Sequence, residues 1–261
     1  KASLSNLRRQ FLGPSAAGIS VVVLLLVLGM RHTNALIAYG LAAFVGGTIV
    51  QEFWKGIGAR QSLHGEGFVT ALVRLVSRNR RRYGGYIVHA GIVFLFGAFA
   101  GMAFKRENDV SLAAGQSFET TDPFGARWRF VSQGVSTSLA LNREITAVAL
   151  EAWRDGSPMG LIKTEKRQYF DSQRQPTFEP STEVGIKSSM RQDVYVVLAG
   201  VRGDDAELRI TFNPLVVWVW WGAELMALGG LIVMWPQAER RRQAGYAAEL
   251  KPAPDEFAGV A

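Results

Sequence analysis

The apolar positions of this chain gather into four long runs: Pro14 to Met30, Asn34 to Trp54, Tyr83 to Phe104 and Asn213 to Trp235. None is interrupted by Lys or Arg. Each is about 17–23 residues long, and a helix rising about 1.5 Å per residue needs about 20 residues to cross the hydrocarbon. One such run can be a buried helix of a soluble protein, but four are too many to bury in 261 residues. The pattern predicts four transmembrane helices. The first run lacks a small-residue cleavage pattern and is followed closely by a second, which sets it apart from a signal peptide. Lys1, not Met, begins the sequence, directly before a basic segment. That start is expected of part of a longer protein or of a processed product.

Between the third and fourth runs the period shortens. Ile145 to Trp153 alternates apolar and polar positions, meets a turn at Asp155-Gly156, and is followed by Leu161 to Tyr169. The two read as a hairpin. Thr182 to Lys187, Asp193 to Leu198 and Ala206 to Phe212 are further short strands, Gly203-Asp204 is another turn, and Arg127 to Val131 is a weaker strand. Five to seven short strands predict a small sandwich or barrel. The expected fold class is therefore an α-helical polytopic membrane protein with four transmembrane helices. An all-β extracytoplasmic domain is inserted between the last two. Residues 1–104 hold the first three membrane helices with a basic cytoplasmic loop at 55–82. Residues 105–212 hold the β domain, 213–235 the last membrane helix and 236–261 a cytoplasmic tail.

Charge orients this arrangement. The formal net charge is +7, yet residues 105–209 carry 14 basic and 15 acidic side chains, leaving 15 basic against 7 acidic elsewhere. The excess flanks the membrane runs, so it signals topology and not a nucleic-acid groove. Lys1, Arg8 and Arg9 precede the first run; Lys55, Arg60, Arg74, Arg78, Arg80, Arg81 and Arg82 separate the second from the third; Arg240, Arg241 and Arg242 follow the fourth. These segments alternate so as to share one side, the cytoplasm, which puts the β domain outside. The chain has no cysteine, so a disulfide framework, a CxxC redox pair and thiolate metal sites are excluded. The β segment has no histidine and hence no Ser/His/Asp arrangement; a platform for partners is the expected role.

Three histidines remain. His89 lies inside the third run, about seven residues beyond Arg80 to Arg82, or about 10 Å above the cytoplasmic boundary. An imidazole at that depth faces a bundle interior, a cavity or a ligand. It can ligate haem iron, or simply hydrogen-bond a neighbouring helix. Gly85 would leave room for a flat macrocycle, and Ile92 and Val93 would pack on one. His32 lies at the outer mouth of the first run and His64 in the basic loop, and both are expected to be solvated. Gly97 and Gly101 have the GxxxG spacing that permits close helix contact, a common signal in membranes. Trp218, Trp220, Trp221 and Trp235 read as an interfacial belt or as the border of a haem or quinone site. Glu224, near the middle of the last run, suits a proton path or a hydrogen bond to another helix.

The string Asn79-Arg80-Arg81-Arg82-Tyr83-Gly84-Gly85-Tyr86-Ile87-Val88-His89 closely resembles the CcmF family of cytochrome c-type biogenesis proteins. Two further strings resemble the same family in the same order. Pro180-Ser181-Thr182-Glu183-Val184 with Asp193-Val194-Tyr195-Val196-Val197-Leu198 is one, and Asn213-Pro214-Leu215-Val216 is the other. The resemblance is to the C-terminal portion, implying a split gene product or a fragment. The family's Trp-rich haem-handling segment, its flanking histidine pair and its other membrane histidine lie in the N-terminal portion. What the resemblance implies is a bacterial inner-membrane protein that binds haem b between two membrane histidines. His89 matches one of them, as an axial ligand to the haem iron. The implied function is haem positioning and reduction for covalent attachment to apocytochrome c, as a component of a holocytochrome c synthase that is inactive as this chain alone. The implied partners are the N-terminal part of the same protein, a CcmH-type subunit, the haem chaperone CcmE, apocytochrome c, membrane lipid and quinol. No catalytic residue is assigned. The competing readings are a scaffold without a cofactor and a haem or quinone transporter subunit.

Overall fold

The computed structural model describes residues 4–236. Four of its helices are long and apolar enough to cross a membrane. The first two, α1 (Leu4–Val27) and α2 (Thr33–His64), form an antiparallel pair turning at Gly29, whose φ is +90°. Small residues let them touch: a methyl on Gly40 would sit 2.7 Å from Val22, and one on Gly18 would sit 2.9 Å from the Gly40 carbonyl. Helix α2 does not stop where its apolar run stops at Trp54. It continues to His64 and ends on Gly65, whose φ of 63° provides the left-handed cap. The run ends where an apolar surface is no longer needed, while nothing in residues 55–64 breaks a helix.

The expected loop at 55–82 is accordingly mostly helical. A short helix α3 (Phe68–Arg78) folds back against the end of α2, burying Ile57, Ala71, Leu75 and Tyr83 together. Gly56 leaves room for this packing: a Cβ there would meet Tyr83 Oη and lie 2.7 Å from Leu75, so both side chains would have to shift. Arg60 and Arg74 both hold Glu66, each at 2.7 Å. These bonds keep the Glu66 carboxyl far below its ordinary range, at about 2, with the Arg60 hydrogen bond as the largest cause.

Helix α4 (Arg80–Gly101) passes through a single 3-10 turn at Met102–Phe104 into the β domain, and α5 (Val217–Met234) leaves it. These two helices pack through glycines. A Cβ on Gly91 would lie 2.5 Å from the Gly222 carbonyl, and one on Gly229 would lie 2.8 Å from the Gly84 carbonyl. The pairs recur seven residues apart on both helices, the spacing of a left-handed crossing. The GxxxG pair contributes only in part: Gly101 abuts Leu215, whereas Gly97 faces open space.

The β domain is a sandwich of nine strands, not a barrel. One sheet has the order β1-β9-β8-β7 (Arg106–Leu112, Asp205–Pro214, Gln192–Arg202, Gly185–Lys187). The other runs β2-β3-β4-β5-β6 (Ser117–Thr121, Arg127–Ala140, Arg143–Arg154, Ser157–Tyr169, Ser181–Glu183). The hairpin read from the sequence is β4–β5, turning on Asp155 and Gly156, whose positive φ values suit a tight hairpin. Alternate residues of the two sheets fill the core, among them Phe130, Val148 and Leu150 against Val196, Leu208 and Phe212. Several polar groups are buried with it, and Asp122 has the most donors. Asp122 is fully buried and accepts from the Trp128 indole at 3.0 Å, the Gln192 amide at 2.6 Å and the backbone N–H groups of Phe124 and Ala126. Burial pushes its carboxyl up, but these donors outweigh it and hold it below the usual range.

The sandwich is tied to the helices at one corner. The Leu215 N–H donates to the Arg191 carbonyl at 2.8 Å, and the Trp218 indole donates to the Met190 carbonyl at 3.0 Å. The same indole stacks on Phe94 of α4. Trp218 is thus a bracket between sandwich and membrane helices rather than a belt residue. The tail from 237 onward, with its Arg240 to Arg242 cluster, lies outside the described residues.

Candidate functional site

Helix α4 presents three faces. Gly84, Val88 and Gly91 lie against α5, and Tyr83, Tyr86 and Val93 turn toward α2. The third face carries Gly85, His89 and, one heptad beyond, Phe96, since residues three, four and seven apart stack on one side of a helix. His89 is exposed, Phe96 is 57% exposed, and nothing lies within 4 Å of a methyl built on Gly85. The sequence had grouped Ile92 and Val93 with His89. Ile92 stays on that side, while Val93 approaches Gly46 of α2.

The imidazole is oriented by its own helix. His89 Nδ1 lies 2.8 Å from the Gly85 carbonyl oxygen. A carbonyl only accepts, so Nδ1 carries the proton and, in the neutral ring, Nε2 keeps its lone pair. Metal-ligating histidines usually show this pattern, with one nitrogen held by a carbonyl and the other free. A flat ring system would fit beside it: Gly85 raises no wall and the residues above are apolar. Among the described residues no group of three or more His, Cys, Asp or Glu gathers to hold a bare metal ion.

The arginines below the histidine are not equivalent. Arg82 ion-pairs with Glu52 of α2, and the Tyr86 hydroxyl donates to the same carboxylate at 3.2 Å. Arg80 donates to the Pro236 carbonyl at 2.8 Å. Arg81 is exposed, with no polar partner among the described residues. Sequence reasoning missed this Glu52–Arg82–Tyr86 cluster; the one available signal was an acidic residue at the end of an apolar run.

The other candidates stand apart. Glu224 is exposed on α5. The glycine pairs set it level with His89, but two residues from Gly222 it turns away from α4. Trp220 and Trp221 are exposed. His64 is exposed at the end of α2, and His32 is exposed and meets Phe104 edge-on at 5.3 Å.

Comparison with known proteins shows what this chain is similar to. Residues 103–214 match the family described as the CcmF C-terminal beta-sandwich. The chain is 27% identical over 183 residues to cytochrome c-type biogenesis protein CcmF of Haemophilus influenzae, covering 69% of this chain and 26% of that protein. It is 30% identical over 162 residues to CcmF of Pseudomonas fluorescens, covering 60% and 23%. The CycK protein of Bradyrhizobium diazoefficiens is 27% identical over 256 residues, 94% of this chain and 35% of that one. A solved structure titled Cytochrome c Heme Lyase CcmF superposes with a TM-score of 0.66 at 23% identity, over 90% of this chain and 35% of that one, and so shares the fold. The chain therefore spans about a quarter to a third of the length of these relatives.

Proposed function

From the premise that this chain is a CcmF-like multi-pass membrane protein, similar to the C-terminal portion of longer relatives named for cytochrome c-type biogenesis, we propose that it is the C-terminal part of a cytochrome c haem lyase. In this reading it sits in the bacterial inner membrane with the sandwich in the periplasm, and His89 is an axial ligand to haem b. One observation carries the ligand reading: Nδ1 is held by the Gly85 carbonyl while Nε2 stays free on an uncovered face of α4.

Each residue then has a definite task. The Gly85 carbonyl fixes the tautomer and tilt of the ring, so that Nε2 is ready to donate its lone pair. Gly85 itself admits a planar group close to the helix, and Ile92 and Phe96 keep water away. Arg81, exposed and without a polar partner among the described residues, suits a propionate. Bound here, haem b supplies one-electron chemistry, which the chain itself lacks. The sandwich offers a docking platform for the haem chaperone CcmE, a CcmH-type subunit and apocytochrome c. The N-terminal part of the protein supplies the second ligand, and quinol the electrons.

The test is the visible spectrum of the complete protein carrying His89→Ala. The low-spin b-type bands are expected to disappear while the protein still accumulates in the membrane, and added imidazole is expected to restore them in part. Unchanged bands would show the iron held elsewhere and leave His89 a structural role.

A further inference from the structure

Asp193 and Asn213 lie directly opposite each other in the β8–β9 ladder. Residues paired in this way have Cβ atoms about 4.5–5.5 Å apart on one face of the sheet, so their side-chain oxygens can meet at a single point. Asp193 is 4% exposed and Asn213 is 7% exposed. The Oδ1 atoms of both are buried and have no hydrogen-bond partner. Thr211, two residues from Asn213 on the same face and also buried, adds a hydroxyl. Two buried, unpartnered oxygens, one of a carboxylate and one of an amide, thus lie on facing residues, with a hydroxyl on the same face.

Buried polar groups almost always have partners, and a buried carboxylate without a cation is costly. The cations nearby are already committed or turned away. Lys105 pairs with Glu107 at 2.7 Å, and Arg209 pairs with Asp109 at 2.8 Å. Arg191, next to Asp193 on the same face, is exposed and forms no ion pair with it among the described residues. The need is for a small positive ion bound by hard oxygen donors, with backbone carbonyls or water completing the shell. Calcium matches that donor set, because it accepts six to eight oxygens in irregular geometry.

We propose that Asp193, Asn213 and Thr211 form a calcium-type cation site at the base of the sandwich. Its position is mechanical. The Leu215 N–H, two residues after Asn213, holds the Arg191 carbonyl, and Trp218 holds the Met190 carbonyl. An ion between β8 and β9 at this point locks the corner that joins the sandwich to α5.

The experiment uses the full chain in nanodiscs, with Tb³⁺ as a luminescent probe and Ca²⁺ as competitor. Wild-type protein is expected to bind one Tb³⁺, excited through nearby indoles, to lose the signal to Ca²⁺, and to melt higher in Ca²⁺ than in chelator. Asp193→Asn is expected to weaken Tb³⁺ binding at least tenfold. Asn213→Asp adds a second carboxylate, so it is expected to tighten binding about tenfold and to widen the gap between the two melting temperatures. Arg191→Ala is expected to leave both readouts as in wild type. The proposal fails if wild type melts alike in Ca²⁺ and chelator while Asn213→Asp is destabilised equally in both, because the oxygens then hold only water. It also fails if Arg191→Ala alone removes the stability, because that arginine is then the counter-ion. Should Asp193→Asn not accumulate, the response of Asn213→Asp still decides between these outcomes.

Discussion

At the scale of single residues, the distinctive feature is a histidine whose helix has already chosen its tautomer. This makes Gly85 as informative as His89. A Cβ built at position 85 has nothing within 4 Å of it. Gly85→Leu is therefore expected to accumulate and melt normally, yet to lose or shift the b-type bands of the complete protein; normal bands would mean that no ring lies against this face. Asp122 invites a second test. Asp122→Ala would leave the Trp128 indole and the Gln192 amide buried without an acceptor, at a cost of about 1–3 kcal/mol for each such group. The sandwich is expected to melt earlier by a corresponding margin in calorimetry, with α-helical content unchanged. His89 was legible in the sequence because an ionisable group inside an apolar run stands out by depth alone. The Glu52–Arg82–Tyr86 cluster and the Asp193–Asn213 pair were not. Each needs residues 20 or more positions apart to meet, and neither has a period or spacing that announces it.

At the scale of elements, α2 and α3 show how a charge cluster becomes structure. Glu66 titrates at about 2 when folded, against about 4.3 in an unfolded chain. A lowered folded value means the stabilisation is complete above the unfolded value and is lost as pH falls from there toward 2. Acid melting between pH 5 and 3 is expected to destabilise wild type more than Glu66→Gln, and parallel curves would argue that the two arginines contribute nothing. Packing of α4 on α5 is open to a similar check. Gly91→Leu inserts a side chain where a single Cβ already lies 2.5 Å from the Gly222 carbonyl. Overpacking of this kind costs about 1–3 kcal/mol, and reduced accumulation with easier proteolysis of α5 is the expected sign. The membrane helices were readable because apolar length is a one-dimensional property. The strands β1 and β2 escaped because both are short and polar, with most side chains facing water. Helix α3 was hidden inside a basic stretch that looked like a loop.

At the scale of the whole molecule, the distribution of positive charge predicts which side each part faces. Cysteines placed singly at Ser138, exposed near the end of β3, and at Ser62, exposed on the last turn of α2, are expected to differ in intact cells. An impermeant thiol reagent should label position 138 and spare 62; equal labelling would overturn the proposed orientation. Fold class and strand content were visible early, whereas the choice of sandwich over barrel depended on which strands pair across sheets, and no local pattern encodes that. One consequence of the pairing remains. The first strand after α4 and the last strand before α5 are ladder partners, Arg106 opposite Phe212, and Gly101 abuts Leu215 where the chain returns. The chain leaves and rejoins its helical hairpin through a single narrow doorway. The sandwich is thus an insertion between two helices that pack on each other. Outer domains of other sizes could be exchanged at this doorway during gene evolution without moving a residue at the depth of His89, provided that something replaces the Trp218 bracket.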